Sequence, residues 1–268
     1  MIGQKSPYSV RSIFLRPVVL TALIGIVGSE AAAQDFGPED GSSKKWEFVL
    51  GGGAFYGPTF EGSNESEATG LPFFSVTYDD RFTLGIDGLS AKVYDNSGFS
   101  LTTKLGYEFG WTEDDDPDLA GLGDVEGGAT LGFGIEYNAD PFIVYADIDR
   151  SLGDSEGLVG KFGVEVSRPV GRVLLGAGLS ATYADANHMQ SYFGVTTAQS
   201  AASGYATYTP EAGFKRADLE LSATYMFSEN WMLRGQVEFG QLLGDAADSP
   251  IVQEKTQTTA GLFVAYRF

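Results

Sequence analysis

The single histidine of the chain, His188, lies close in sequence to a serine and an aspartate, the residue types of a hydrolase triad. Nucleophilic catalysis of this kind needs the imidazole within hydrogen-bond reach of the hydroxyl and oriented by the carboxylate. If the segment is extended, Asp185 and Ser191 point to the face opposite His188, because each lies three residues away. We therefore interpret His188 as a polar residue at a strand–loop edge, with surface lipid hydrolysis as the alternative. The sequence predicts no catalytic residue and no cofactor.

A second candidate for chemistry is the run of residues 113–118, in which five of the six residues are acidic. Hard cations such as Ca²⁺ prefer several oxygen ligands, so a run of carboxylates is a candidate site. The run lacks the spacing and the glycine of a calcium-binding loop, which favours a solvated acidic loop. Weak bridging by divalent cations to the phosphates of surface lipopolysaccharide stays open. We predict no dedicated metal site.

The end of the chain indicates which elements position these residues. Phe268 and the alternate residues before it are apolar, and Arg267 lies between them. Strand side chains alternate between two faces, so this ending presents one unbroken apolar face, as membrane-barrel strands present to lipid. The pattern also resembles the signal by which the barrel-assembly machinery recognises bacterial outer-membrane barrels. The predicted lipid-facing signal residues are Ala260, Leu262, Val264, Tyr266 and Phe268.

The other end of the chain predicts export. Basic residues precede a short apolar run, residues 18–27, and small residues follow up to Ala33. These three regions are typical of a secretory signal peptide, and the apolar run is shorter than the ~20 residues of a spanning helix. We predict cleavage between Ala33 and Gln34, which gives a signal peptide over residues 1–33 and a barrel domain over residues 34–268.

The composition of the predicted mature chain excludes several classes of partner. Removing residues 1–33 takes away three of the 17 basic and one of the 36 acidic residues, which leaves a net charge of −21. Phosphates would be repelled, so we expect no nucleic-acid partner. The chain has no cysteine, which excludes disulfides and thiol chemistry.

Long alternating segments fill the rest of the chain. Residues 99–111 and 231–243 each keep a largely apolar face opposite a more polar one. Membrane-spanning strands need ~9–11 residues, whereas strands of soluble proteins average ~5–6. Aromatic residues recur near segment ends, as an interfacial girdle requires. They are Trp46, Tyr56, Trp111, Tyr137, Tyr183, Phe227 and Trp231.

The connections between these segments predict the topology. From Ser97 onward short turns alternate with long polar loops, which bacterial barrels place in the periplasm and outside, respectively. Residues 81–94 divide at the turn pair Asp87-Gly88. The predicted fold is an all-β, transmembrane antiparallel up-and-down β-barrel of about twelve strands, with ten as the alternative. We expect the last strand to pair with residues 46–56, and residues 185–215 to form the largest external loop or to fold partly into the lumen.

The opposite strand faces place charges of both signs inside the barrel. Such charges pair across a narrow interior, which favours a constricted or closed lumen over a wide pore. The acidic surplus predicts a preference for cations if anything passes. The predicted inward charges are Lys92, Lys104, Lys161, Arg172 and Arg234 with Glu108, Glu136, Asp147, Glu165, Asp218, Glu220 and Glu238.

Two stretches, residues 51–63 and 192–213, together with the Asp87-Gly88-Leu89 turn, resemble the MltA-interacting protein (MipA/OmpV) family of outer-membrane proteins. The resemblance covers essentially the whole predicted mature chain. It implies a non-enzymatic scaffold that links a lytic transglycosylase to a murein synthase, although other members are described as porin-like or adhesive. The residues of the second stretch that carry it are Tyr192, Phe193, Gly194, Val195, Gln199, Tyr208 and Gly213.

These observations predict an exported barrel in the outer membrane of a Gram-negative cell, in contact with outer-membrane lipid and lipopolysaccharide. The predicted function is a scaffold for murein-remodelling enzymes, and the alternative is a narrow, cation-preferring channel.

Overall fold

The structure, a computed structural model, describes residues 45–268, and the predicted signal peptide with its cleavage point lies outside the described residues. Twelve antiparallel strands form one closed barrel, which confirms the predicted fold; the ten-strand alternative is wrong. No helix of the described part is long and apolar enough to cross a membrane. The strands are β1 Trp46–Pro58, β2 Ser66–Tyr78, β3 Phe82–Gly85, β4 Gly88–Asn96, β5 Phe99–Glu108, β6 Gly128–Ala139, β7 Phe142–Ser151, β8 Leu158–Val170, β9 Val173–Ala184, β10 Gly213–Met226, β11 Trp231–Leu242 and β12 Thr256–Arg267.

The barrel closes where its first strand meets its last. Every strand pairs with its neighbours in sequence, and β1 pairs with β12. Tyr56 lies opposite Ala260 and Val49 opposite Arg267, so the pairing covers most of both strands. The predicted pairing of the last strand with the first is therefore confirmed.

The two faces of each strand differ in exposure, as the alternation predicts. In β12, Leu262 is 56% and Val264 39% exposed, whereas Phe263 between them is 2% exposed. The exposed side chains point away from the barrel, toward the position of lipid, and the buried ones point into it. The predicted outward facing of the last strand is observed, while its role as an assembly signal stays a prediction.

The two ends of the barrel are built differently. At one end, which we call the turn end, five connections of two to four residues join the strands. Asp79, Asp80 and Ser97 adopt positive φ there, as tight hairpin turns require. The opposite end, the loop end, carries the long connections. The predicted alternation of short and long connections is confirmed.

Aromatic side chains mark both ends of the outer surface. Six of the seven predicted girdle residues are exposed, from Tyr183 at 39% to Trp46 at 52%. The seventh assignment is wrong, because Trp111 is 6% exposed. Strand β5 ends at Glu108, so the alternation stops before Trp111, whose ring packs among loop residues instead.

One part of the barrel wall is incomplete, because strands β3 and β4 do not extend as far toward the loop end as β2 and β5 do. Strand β3 has four residues and pairs with only the last four of the 13 residues of β2. Strand β4 begins at Gly88, opposite Gly106, so β5 also extends beyond it. Above the turn at residues 86–87, β2 and β5 therefore face each other without strands between them, and the loop that precedes β2 meets the loop that follows β5 through hydrogen bonds to Asp116. We call this gap the wall window.

Beside the wall window the interior is filled by apolar side chains that lie over two glycines of β1. A Cβ on Gly51 would lie 2.4 Å from the ring of Phe73, and a Cβ on Gly53 would lie 2.5 Å from the ring of Phe263. The glycines thus provide the space that these rings occupy. The cluster consists of Phe55, Leu71, Phe73, Phe263 and Ala265.

Candidate functional site

The loop end is covered by short helices, which the sequence did not predict. The segment around His188 is helical rather than extended, because Asp185 caps a helix by accepting the backbone N–H of His188 at 2.9 Å. A side chain at the N-cap stabilises the first turn, and the next helix begins with a capping box between Thr196 and Gln199. The helices are α1 Ala186–Phe193, α2 Thr197–Ser203 and α3 Gly244–Ala247.

Two apolar clusters lie at the loop end, and one of them holds α1 and α3 over the barrel. In each cluster, side chains from separate connections meet away from water, with Leu119 and Phe193 both at 0% exposure. The predicted loop at residues 185–215 is the longest connection between strands in the described chain. Its first part packs over the mouth of the barrel through Met189, Phe193 and Val195. The loop cluster consists of Phe60, Trp111, Leu119, Leu122, Val195 and Ile251. The helix cluster consists of Ala184, Met189, Phe193, Leu242, Ala246 and Ala247.

The residues that carry the family resemblance form part of the structure that covers the loop end. Val195 pairs with Tyr208 in an isolated β-bridge, with backbone hydrogen bonds of 2.8 and 2.9 Å. Gln199 donates its side-chain amide to the carbonyl of Leu122 at 2.6 Å, which ties α2 to the β5–β6 loop. Tyr192 packs against both clusters, while Gly213 lies apart at the start of β10. These contacts give the residues a structural role.

A chain of charged and polar groups lies beneath α1, with His188 at its centre. The Nζ of Lys215 lies 3.1 Å from His188 Nε2 and 2.7 Å from the carboxylate of Glu61. On the other side, His188 Nδ1 lies 3.5 Å from Glu108, and the imidazole stacks on Tyr192 with ring centroids 4.5 Å apart. His188 lies in α1 and is 5% exposed, so its assignment to a strand–loop edge is wrong.

The electrostatics of this site favour a neutral imidazole. Burial lowers the pKa of His188, and the nearby Lys215 ammonium lowers it further, which outweighs the opposing carboxylates. Burial alone would raise the pKa of Glu61, but Lys215 and Arg216 bring it below its usual range. An ammonium group only donates hydrogen bonds, so Nε2 accepts from Lys215 and the imidazole proton resides on Nδ1, facing Glu108.

The arrangement around His188 does not match a hydrolase triad. Within residues 45–268 the imidazole contacts Glu108, Lys215 and Tyr192, and Ser191 is not among its hydrogen-bond partners. Asp185 engages the backbone of His188 rather than its ring. The site instead links Glu108, Lys215 and Glu61 through the imidazole and the ammonium group, and the imidazole is closed off from water.

Further charged pairs follow along the interior, as the inward charges predict. Arg234 donates to Glu220 at 3.0 Å, and Lys104 pairs with Asp147. One assignment is wrong: Arg172 lies in the turn between β8 and β9 and is exposed.

The acidic run is used for hydrogen bonding within the loop end. Asp116 is 3% exposed and accepts the hydroxyls of Thr59 and Ser63, so the interpretation as a solvated run is wrong for this residue. Glu113 accepts the backbone N–H groups of Gly121 and Gly123 at 3.0 and 3.2 Å. In the described part of the chain, no three His, Asp or Glu residues are placed to hold a metal ion.

Glu61 and Lys215 belong to the site but were not predicted from the sequence. Glu61 lies inside the predicted loop that follows residues 46–56, and Lys215 lies at the end of the predicted loop 185–215, where a lone charge carries little information. The available signal was the presence of a lysine next to the tract that contains the single histidine of an acidic chain. Their proximity depends on the pairing of distant strands.

Comparison with known proteins gives a family match over most of the chain. The model of the family described as "MltA-interacting protein MipA" matches residues 50–268. A protein of Escherichia coli (strain K12) provisionally named as an outer membrane protein, YiaT, is 26% identical over 226 residues, which is 83% of this chain and 91% of that protein. The MltA-interacting protein of the same organism is 27% identical over 118 residues, 44% of this chain and 47% of that protein.

Among solved structures, an outer membrane channel from Pseudomonas putida F1 matches with a TM-score of 0.43 and 10% identity. The match covers 84% of this chain and 96% of that one. A similarity at this level does not bear on function.

Proposed function

Because the chain belongs to the MltA-interacting protein MipA family, we propose that this outer-membrane barrel is a non-enzymatic scaffold that holds murein-remodelling enzymes at the membrane. The partners are a lytic transglycosylase and a murein synthase, and they meet the barrel at its turn end, which faces the periplasm. The outer surface contacts membrane lipid and lipopolysaccharide.

The observation that carries this proposal is the closed loop end. The loop cluster and the helix cluster cover the mouth of the barrel with side chains such as Phe193 and Leu119 that water does not reach. A barrel whose loop end is covered offers its surfaces rather than its interior. The buried imidazole of His188, paired with Lys215, supports a non-enzymatic role, because a general base must reach its substrate.

Site-specific photo-cross-linking in intact cells tests the scaffold. A benzoylphenylalanine in place of Glu229, exposed in the β10–β11 turn, should cross-link to a murein enzyme. The same group in place of Glu254, exposed at the loop end, is the matched control and should not. Absence of murein enzymes among the products from Glu229 and from the other turns would contradict the proposal.

A narrow cation-preferring channel is the second candidate, favoured by one observation. The inward side chains of Lys104 and Asp147 keep 32% and 23% exposure, so a narrow accessible space runs beside β5 and β7. Conductance across planar bilayers distinguishes the two functions. Small cation-selective currents would support the channel, no current would support the closed scaffold, and a large anion-selective current would contradict both.

A further inference from the structure

We propose that His188 is an acid-sensitive latch: the neutral imidazole holds α1 against the mouth of the barrel, and its protonation releases α1 with the loops packed on it. The latch is independent of the partners proposed above, since it concerns only the loop end.

The hydrogen bond between Lys215 and His188 depends on the protonation state of the imidazole. The ammonium donates to Nε2 over 3.1 Å, which requires a lone pair on that nitrogen. A proton on Nε2 removes the lone pair and places two cations at hydrogen-bond distance. Lys215 has little freedom to withdraw, because it is also bonded to Glu61 and lies 5.8 Å from the centre of the Phe193 ring.

Several charged and titratable groups face the imidazole. Besides Lys215 these are Glu108 from β5, Glu61 from the β1–β2 loop and Tyr192 from α1. Arg216 of β10 acts on Glu61, and Asp185 bonds to the backbone of His188 rather than to its ring. Glu108 opposes the release, since a carboxylate stabilises an imidazolium. Its nearest oxygen is 3.5 Å away, and its other oxygen accepts the hydroxyl of Ser155 at 2.9 Å. Burial and Lys215 outweigh it, so the pKa of His188 lies below its ordinary value.

The packing around α1 leaves no room for the His188 side chain to move away from Lys215 while the helix stays in place. Gly157 of the β7–β8 loop lies directly against α1, where a Cβ would come within 2.6 Å of the Cβ of His188. On the same helix Met189 and Phe193 fill the helix cluster at 0% exposure. Packed interiors resist small displacements, so a repelled His188 takes the whole helix with it. The loop end then opens.

A distance measurement between two spin labels tests the latch. The chain has no cysteine, so Ala201→Cys on α2 and Asp154→Cys in the β7–β8 loop, both exposed, provide clean labelling sites on the full barrel in bilayers. At pH 7.5 we expect one distance. Between pH 6.5 and pH 5 a longer distance should appear, and its population relative to the first should rise by no more than about tenfold per pH unit, the limit for one proton.

Two variants identify the titrating group. In His188→Gln the amide oxygen accepts from Lys215 and does not titrate, so the single distance should persist at pH 5. In Glu61→Gln/Lys215→Gln the repelling cation and its partner are both removed, so the acid response should disappear or move to lower pH although His188 is present. This second variant decides the question if His188→Gln fails to fold. The latch is overturned if the wild-type distances do not change between pH 7.5 and pH 5, or if either variant keeps the wild-type response.

Discussion

Arg216 on β10 donates to Glu238 on β11 over 2.7 Å inside the barrel, and each of the two side chains is 11% exposed. The same guanidinium bonds to Asp218, so one cation neutralises two buried carboxylates. Arginine suits this place because its planar group offers several donors in fixed directions. The interior is therefore held by shared charges as well as by apolar contact.

Removal of that guanidinium should be among the most costly single changes in the barrel. We expect Arg216→Met to lower the free energy of unfolding by about 3–5 kcal/mol, because two carboxylates lose their buried partner. Urea unfolding of the refolded barrel in bilayers measures the change. The control is Lys255→Ala, which removes an exposed pair with Asp248 and should cost less than about 1 kcal/mol. Equal effects of the two changes would contradict this view of the interior.

Neighbouring glycines of β1 should differ in their tolerance of a methyl group. A Cβ on Gly53 would lie 2.2 Å from the backbone oxygen of Leu262, whereas one on Gly52 would lie 3.4 Å from that of Leu71. We expect Gly53→Ala to cost about 1–3 kcal/mol in the free energy of unfolding, and Gly52→Ala to be nearly neutral. Thermal or urea unfolding of both variants provides the comparison, and a cost for Gly52→Ala as large as that for Gly53→Ala would argue against the close packing of β12 on Gly53.

The wall window should be wet. Hydrocarbon offers no hydrogen-bond partners to the edge of β2 around Gly70, where β1 is the only paired strand among the described residues, so water must enter the gap. We expect Gly70→Cys on that edge to react several-fold faster with a water-soluble maleimide in bilayers than Ala223→Cys on β10. Ala223 also faces outward but has strand partners on both sides. Equal rates would show that the gap is dry.

Acid should destabilise the folded barrel through His188. Its lowered pKa means that the unfolded chain binds the proton first as the pH falls below about 6.5. The contribution of neutral His188 to the free energy of unfolding is therefore fully present above that pH. It is lost as the pH falls toward the lowered pKa that His188 has in the folded protein. Urea midpoints at pH 7.5 and pH 5 measure the loss, which should be smaller in His188→Gln. An unchanged pH dependence in the variant would assign the effect to other groups.

The sequence predicted what depends on local alternation. The outward facing of Leu262 and Val264 follows from a period of two, and the division at Asp87-Gly88 follows from turn chemistry, so strand number and closure could be derived. The sequence failed where alternation ends. Trp111 continues the pattern of β5 by parity, but it belongs to a loop.

The site beneath α1 was not predictable for a different reason. α1 has eight residues, too few for a clear apolar period, and only its cap Asp185 indicates it locally. The contacts of His188 with Glu108 and Lys215 join a strand, a helix and another strand that lie far apart in sequence. Such contacts are fixed by strand pairing around the whole barrel.

The closure of β1 on β12 extends to the last residue, where the backbone N–H of Phe268 donates to the carbonyl of Phe48 at 2.9 Å. A chain that stopped before β12 would leave β1 and β11 each with an open edge, which the hydrocarbon cannot satisfy. Closure thus acts as a check on length, because a prematurely terminated copy lacks the strand that satisfies the hydrogen bonds of both edges within the membrane.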